Sequence, residues 1–166
     1  MSTPRLREPV GPGQESVWDY PRPPLLRASD RLVEIVLGGE LICRTTASLQ
    51  VLETSHPPTW YLPRSAFAPD VLAPTAGASF CEWKGAASYL DVHGGGRTAT
   101  RAAWYYPNPT PPYAQLKDHI ALYAAAMDSC RVDGVQVVAQ PGGFYGGWIT
   151  PEVVGPFKGV PGSSGW

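Results

Sequence analysis

The chain has 166 residues, of which 43% are hydrophobic and 16% charged, and its formal net charge is −1. This length is enough for one domain with a hydrophobic core, whereas the near-neutral charge argues against nucleic-acid and anionic-membrane partners. The chain shows neither a run of about 18 apolar residues nor an apolar stretch close behind its charged start. We therefore expect no membrane span and no secretion signal.

The cysteines are odd in number, widely spaced and without a Cys-x-x-Cys pair: Cys43, Cys81 and Cys130. This pattern argues against a disulfide framework or a zinc knuckle and predicts a cytoplasmic protein. The histidines also lack the short spacing of a metal site: His56, His93 and His119. The sequence therefore predicts neither a metal nor a cofactor.

Residues 1–30 contain six prolines and two glycines, a composition typical of an extended, partly polyproline-like arm. The aromatic rings of Trp18 and Tyr20 favour packing of such an arm against the domain. A plain linker is the alternative interpretation.

Alternation of apolar and polar residues predicts antiparallel strands in the first half of the domain, at 31–37, 40–44, 49–53 and 59–62. The pair Gly38-Gly39 predicts a tight hairpin turn between the first two. A single helical turn at 64–67 and a loop at 68–77 are expected to follow.

The stretch 79–92 combines a thiol, aromatic rings, an ammonium and hydroxyls. Its alternation predicts strands at 80–84 and 87–93, with a kink at Gly85. Gly94-Gly95-Gly96 then predicts a hairpin leading into a strand at 97–106. These glycines do not form a dinucleotide loop, because no helix is predicted after them.

The remaining chain predicts one short helix at 113–119, a strand at 119–123 and a final hairpin at 128–138 around Asp133-Gly134. Helical periodicity is weak throughout, so the fold class is mainly β, a single domain of antiparallel hairpins. The boundaries are an arm at 1–30, the β domain at 31–140, and a Gly-rich, aromatic tail at 141–166 that packs on the domain or on a neighbouring subunit.

Three segments in order resemble the bacterial and fungal domain of unknown function 427 family: ETSHPPTWYLPR at 53–64, CEWKGAASY at 81–89 and WYYP at 104–107. The resemblance runs from about residue 31 to 138, and the arm and tail are similar to those of longer actinobacterial members. It implies a β-tent topology like that of the methionine sulfoxide reductases. The zinc knuckles of many β-tent proteins are missing, so neither zinc nor sulfoxide chemistry carries over.

The family's function is unassigned, and its members are sometimes labelled nucleotidyltransferase-like. Such an enzyme needs a Gly-Ser pair followed by an Asp-x-Asp pair that holds two magnesium ions. The sequence has no such arrangement, so the residues do not support that label.

Three residues are candidates for catalysis: Cys81, Glu53 and His56. A cysteine becomes a nucleophile when a nearby cation lowers its pKa, and Lys84 is three residues away. Glu53 and His56 precede the Pro57-Pro58 break and can act as acid and base, or complete a Cys-His-Glu triad. The alternatives are a buried structural cysteine, a strand-edge glutamate and an exposed loop histidine.

Aromatic rings together with an arginine and a lysine suit a planar anionic ligand; the candidate residues are Tyr61, Arg64, Trp83, Lys84, Tyr89, Trp104 and Tyr106. The same rings can instead fill the core of a small β domain. The preferred function is a small-molecule-binding protein for a planar or anionic, possibly nucleotide-like, metabolite. An enzyme using the same pocket is one alternative, and an interaction module that forms a homodimer through the arm or the tail is another.

Overall fold

The computed structural model describes residues 7–166, so predictions about the chain's first six residues lie outside the described part. The chain is mainly β, as predicted. Its strands are β1 (Glu15–Ser16), β2 (Leu25–Ser29), β3 (Val33–Leu37), β4 (Glu40–Thr45), β5 (Ser48–Leu52), β6 (Thr59–Pro63), β7 (Leu72–Cys81), β8 (Gly85–Gly94), β9 (Arg97–Tyr105), β10 (His119–Leu122), β11 (Ser129–Val132), β12 (Val135–Gln136), β13 (Val138–Ala139), β14 (Trp148–Ile149) and β15 (Val153–Val154).

Two antiparallel sheets form the body of the domain. The larger has seven strands in the order β2-β5-β6-β10-β9-β8-β7, and the smaller has four in the order β12-β11-β3-β4. Two further two-stranded sheets involve the arm and the tail: β1 of the arm runs parallel to β15 of the tail, and β13 runs antiparallel to β14. The hairpins predicted at the Gly38, Gly95 and Gly134 turns are all present.

Each face of the seven-stranded sheet carries a separate hydrophobic cluster, because neighbouring residues of a strand point to opposite faces. On β6, Trp60 belongs to the first cluster, which also contains β3 and β11 side chains of the smaller sheet, whereas Tyr61 belongs to the second. On β9, Ala103 and Trp104 divide in the same way. We call the face that carries Tyr61 and Trp104 the outer face.

The prediction for residues 68–84 needs two corrections. The expected loop is largely strand β7, which tolerates Pro74 and a register shift between Pro74 and Ala78 because it lies at the sheet edge. The strand expected at 80–84 ends at Cys81, and residues 82–84 form the hairpin turn. Gly85, with a φ of 105°, follows that turn, so the change of direction comes before the predicted kink.

The predicted helix at 113–119 is a 3₁₀ helix at Pro111–Leu116, and three shorter 3₁₀ helices lie at Val17–Asp19, Arg64–Ala66 and Ala124–Ala126. No helix within residues 7–166 combines the length and apolar character needed to cross a membrane. The arm contains β2, which pairs with β5 as an edge strand of the larger sheet. The C-terminal end of the arm is therefore part of the larger sheet.

The tail lies on its own domain. Trp148 stacks on Trp60, with ring centroids 5.9 Å apart, and donates from its indole nitrogen to the Leu122 carbonyl. The side-chain amide of Gln140 bonds the Gly147 backbone and the Lys158 carbonyl. These contacts make the tail part of the folded unit.

We expect Trp148→Ala to lower the free energy of unfolding by about 3–5 kcal/mol, because Trp148 is only 1% exposed and leaves a large cavity. Phe144, in the same tail but 76% exposed, is the matched control, and Phe144→Ala should change stability by less than about 0.5 kcal/mol. Urea unfolding measures both. Equal effects of the two substitutions would contradict the packing of the tail described above.

Candidate functional site

A cavity of about 370 Å³ opens on the outer face of the larger sheet, and we call it the Cys81 cleft. Its walls come from β6, the β7–β8 hairpin, β9 and the tail. The lining residues are Glu53, His56, Thr59, Tyr61, Ser79, Phe80, Cys81, Lys84, Tyr89, Trp104, Tyr106, Tyr123, Gln140, Phe144, Tyr145, Gly146 and Lys158.

Eight of the ten candidate residues named from the sequence line this cleft, and Arg64 and Trp83 do not. Arg64 stacks on Tyr105, which packs against the first cluster, whereas Lys84 faces the ring of Tyr106 in the second. Arg64 and Lys84 therefore associate with opposite faces of the sheet. Trp83 packs against the second cluster without reaching the cleft.

Lys84 is buried in the turn of the β7–β8 hairpin, with only 9% of its surface exposed. Thr110 holds this turn, because its backbone N–H donates to the Lys84 carbonyl and its hydroxyl to the Trp83 carbonyl. The Lys84 ammonium lies 5.7 Å from the Tyr106 ring centroid. Within residues 7–166 it has no carboxylate within 4.0 Å and no hydrogen-bond acceptor.

Aromatic rings form most of the cleft wall. The Trp104 indole N–H donates to the Tyr61 hydroxyl, and its ring lies 4.8 Å from that of Tyr123. Burial raises the pKa values of Tyr61 and Tyr106 above their usual range. Both phenols therefore stay protonated at physiological pH and can donate hydrogen bonds.

His56 lies at the end of the cleft that also contains Glu53. Its Nδ1 is 2.9 Å from the Thr54 carbonyl oxygen and 3.9 Å from the Glu53 carboxylate. Since a carbonyl can only accept, Nδ1 carries the proton, and in the neutral ring Nε2 is an acceptor. Burial lowers the pKa of His56 more strongly than Glu53 raises it, which keeps the imidazole neutral at physiological pH.

The proposed triad is only partly assembled. The backbone of Thr54, not Glu53, orients His56, and Glu53 itself is bonded to Arg22 at 3.3 Å. Cys81 lies among Tyr61, Tyr106 and the other members of the second cluster. No hydrogen bond joins Cys81 to His56 in the described part of the chain.

The tail contributes residues that the sequence analysis did not assign to a site. Tyr145 packs edge-on against His56, with ring centroids 5.0 Å apart, and faces the Lys158 ammonium at 5.5 Å. Gly146 lies so close to Trp104 that an added Cβ would be 2.1 Å from the indole. The aromatic, Gly-rich composition of residues 142–148 indicates that this segment packs on other residues. Where it packs depends on strands that are distant in the sequence.

Residues 7–166 contain no cluster of three or more His, Cys, Asp or Glu side chains placed to hold a metal ion. The cleft's polar groups include the ammonium groups of Lys84 and Lys158, neither of which has a carboxylate within 4.0 Å in the described chain, one neutral imidazole, a paired carboxylate and several phenols. This set suits recognition of an organic anion.

Together, the sheets and the cleft define a small β domain with a ring-walled cavity on its outer face. Residues 25–133 match the family model described as "Domain of unknown function (DUF427)", and the chain belongs to this family. No curated protein matches the chain. The tail residues that line the cleft lie beyond the matched range.

We expect iodoacetamide to modify Cys81 selectively in the native protein. Cys43 and Cys130 are buried, and burial raises their pKa values to about 12, so few thiolates form there. Peptide mass spectrometry after brief labelling at mild alkaline pH should find the adduct on Cys81 alone. Cys81→Ala should abolish it, and rapid native-state labelling of Cys43 would contradict the assigned burial.

The neutral state of His56 predicts a pH-dependent stability. Its pKa is lower in the folded chain than the unfolded value of about 6.5, so the unfolded state binds the proton more readily. The contribution of His56 is present above that unfolded pKa and is lost as the pH falls through it towards the folded pKa. The urea midpoint should therefore drop between pH about 7.5 and 5.5.

His56→Asn should reduce this pH dependence. Urea midpoints of the wild type and of His56→Asn at both pH values provide the comparison. An identical slope for wild type and His56→Asn would show that His56 is not held neutral by burial.

Proposed function

We propose that this protein binds a planar, anionic small molecule in the Cys81 cleft. The observation that carries the proposal is Lys84, which is nine-tenths buried, lines the cavity and has no acidic partner in the described chain. An ammonium that reaches a cavity and has no acidic partner of its own is free to form a charge-assisted hydrogen bond with an anion. A ligand carrying that anion supplies the missing partner.

The other polar cavity of similar size offers a useful contrast. It is lined by Glu15, Arg27, Arg31 and Glu152 among others, and these charges neutralise one another. Arg27 pairs with Glu15 at 2.9 Å, and Arg31 pairs with Glu152. The arginines of that cavity are paired with carboxylates without a ligand. In the Cys81 cleft, by contrast, Lys84 has no carboxylate partner in the described chain.

The shape of the ligand follows from the walls. Tyr89, Trp104, Tyr106 and Tyr123 present rings to the cleft, and stacked or edge-on contacts with rings favour a flat molecule. Exposed Phe80 and Phe144 also line the cleft, from β7 and from the tail. A ligand of one or two fused rings is compatible with about 370 Å³.

A thermal-shift screen of organic acids, nucleobases, nucleotides and flavins tests this proposal. An anionic hit at about 100 times its Kd should stabilise the protein by about 2.7 kcal/mol. Lys84→Met should weaken the binding of that hit at least about tenfold, while Lys117→Met, at an exposed lysine outside the cleft, should not.

Without ligand, Lys84→Met should not lower the free energy of unfolding, because the Lys84 ammonium has no carboxylate partner in the described chain to lose. A site lysine thus differs from a structural one, whose loss destabilises the protein. The proposal fails if Lys84→Met is destabilising and leaves the affinity for every anionic hit unchanged.

An enzyme in the same cleft is the second candidate, and the neutral His56 favours it. An imidazole with its proton fixed on Nδ1 offers Nε2 as a general base, and Cys81 is a free thiol in the same cavity. Mass spectrometry of a bound hit over time separates the two candidates. Chemical conversion of the hit by the wild type that is absent in His56→Asn and in Cys81→Ala would support an enzyme. A hit that stays chemically unchanged would support binding alone.

The third possibility, a homodimer through the arm or the tail, gains less support. Trp18 contacts Trp166 and Trp148 stacks on Trp60, so these rings already have partners within the chain. The proposal places the protein in the cytoplasm, where its three free cysteines would remain reduced.

A further inference from the structure

Arg101 is a cation beside the Cys81 cleft that has no role in the function described so far. We propose that Arg101 binds a second anionic group of the ligand, so that the ligand is an aromatic molecule with two separate anionic groups, each a carboxylate or a phosphate. This inference rests on the proposed binding function, and it specifies the class of ligand and a further binding residue.

The backbone at Arg101 departs from a regular strand. Asp91 of β8 faces residues 100–102 of β9, so β9 bulges at this level. Arg101 has a φ of 52°, a conformation that costs energy for a residue other than glycine. The Asp91 carboxylate accepts the backbone N–H of Arg101 at 2.8 Å and so stabilises the bulge. Bulges commonly redirect a side chain beside a functional site.

Strand β7 is irregular at the matching level on the other side of β8. Tyr89 of β8 faces residues 75–77 of β7, and Gly77 has a φ of 114°. A Cβ added at Gly77 would lie 2.6 Å from Nη2 of Arg101, and the guanidinium carbon of Arg101 lies 4.7 Å from the centroid of the Tyr89 ring. The Arg101 side chain therefore crosses from β9 over β8 to β7, above a ring that lines the Cys81 cleft.

The guanidinium of Arg101 is positioned without an acidic partner. In the part of the chain that the structure describes, no carboxylate lies within 4.0 Å of it and its N–H groups have no hydrogen-bond acceptor. Burial raises the pKa of Tyr123, and the charge of Arg101 opposes this rise, so Arg101 also acts on a second ring of the cleft. A carboxylate or a phosphate can accept two parallel hydrogen bonds from such a guanidinium.

A second cavity, of about 330 Å³, provides room for an anionic group beside the cleft. Arg101 is the only charged residue among those that line it. The residues that line both this cavity and the Cys81 cleft are Tyr123, Gln140, Tyr145 and Gly146. The two cavities therefore adjoin, and a ligand whose rings lie in the cleft can extend a group towards Arg101.

The charges around the two cavities favour more than one anionic group. Lys84 and Lys158 line the cleft, and Arg101 adds a third cation from the neighbouring cavity. Glu53 is the only acidic residue in either lining, and Arg22 pairs with it at 3.3 Å. A ligand with a single negative charge would leave most of this positive charge without a partner.

Calorimetric titration with matched naphthalene probes tests this inference. The first probe is a naphthalene dicarboxylate whose two carboxylates lie at opposite ends of the rings. The second is the corresponding carbamoylnaphthoate, which has the same shape but only one charge, and the third is the carboxynaphthyl phosphate. We expect at least one of the two doubly anionic probes to bind about tenfold more tightly than the carbamoylnaphthoate, as is typical of a hydrogen bond between charged groups.

Three variants assign the preference to Arg101. Arg101→Gln should remove most of the preference for two anionic groups and leave the affinity for the carbamoylnaphthoate nearly unchanged. Gly77→Ala keeps the charge of Arg101 but fills the space that its guanidinium occupies, and it should also reduce the preference. Arg131→Gln, at an exposed arginine of β11 that lines neither cavity, should have no effect. Because each comparison is a ratio within one protein, a general loss of stability does not imitate the result.

The outcomes separate this inference from the function on which it rests. A preference that is lost in Arg101→Gln would support the inference, and the tighter of the two doubly anionic probes would show whether the second group is a carboxylate or a phosphate. Equal binding of all probes, or an equal loss of preference in Arg131→Gln, would overturn the inference, while Lys84-dependent binding would still support the proposed function. If no probe binds at its highest soluble concentration, both fail.

Discussion

The seven-stranded sheet must bury two faces, but the four-stranded sheet covers only one. This constraint shapes the rest of the molecule. Alternation along each strand sends Trp60 to one side and Tyr61 to the other. The inner face is filled mainly by aliphatic residues shared between the sheets, together with Trp60 and with Trp148 of the tail, whereas the outer face carries large rings such as Tyr61, Trp104 and Tyr106. Incomplete cover on that side leaves the Cys81 cleft.

Burial of Lys84 follows from the same arrangement. The β7–β8 hairpin turns before Gly85, and Thr110 fixes the turn through its backbone and side chain. The ammonium is thereby held under the aromatic wall with no acid beside it. A fold optimised only for stability gains little from such a charge, which is why this lysine indicates a ligand more strongly than any ring in the cleft.

The cleft combines two parts of the chain with different relationships to the family. The β6, β7–β8 and β9 residues lie within the range matched by the DUF427 model. Gln140, Tyr145 and Lys158 lie beyond it, yet they close the end of the cleft near His56. The tail therefore supports stability, through Trp148, and also the shape of the cleft, through Tyr145.

The sequence by itself determined the mainly β class, the hairpin turns and eight of the seventeen residues that line the cleft. Local rules are sufficient for these: alternation identifies strands, paired glycines supply positive φ at turns, and the thiol, ammonium and rings of 79–92 stand out by type. The same rules misplaced β7 and the 82–84 turn, because proline and glycine signal a loop unless the strand lies at a sheet edge.

Only the tertiary structure decided which charged groups meet. Arg64 and Lys84 look equivalent in the sequence, but Tyr105 and Tyr106 alternate in direction and so draw the two cations to opposite faces. The proton position on His56 depends on one carbonyl, and its neutrality depends on burial under Tyr145. Such contacts join residues far apart in the chain, and sheet order and tail docking, rather than local propensity, bring them together.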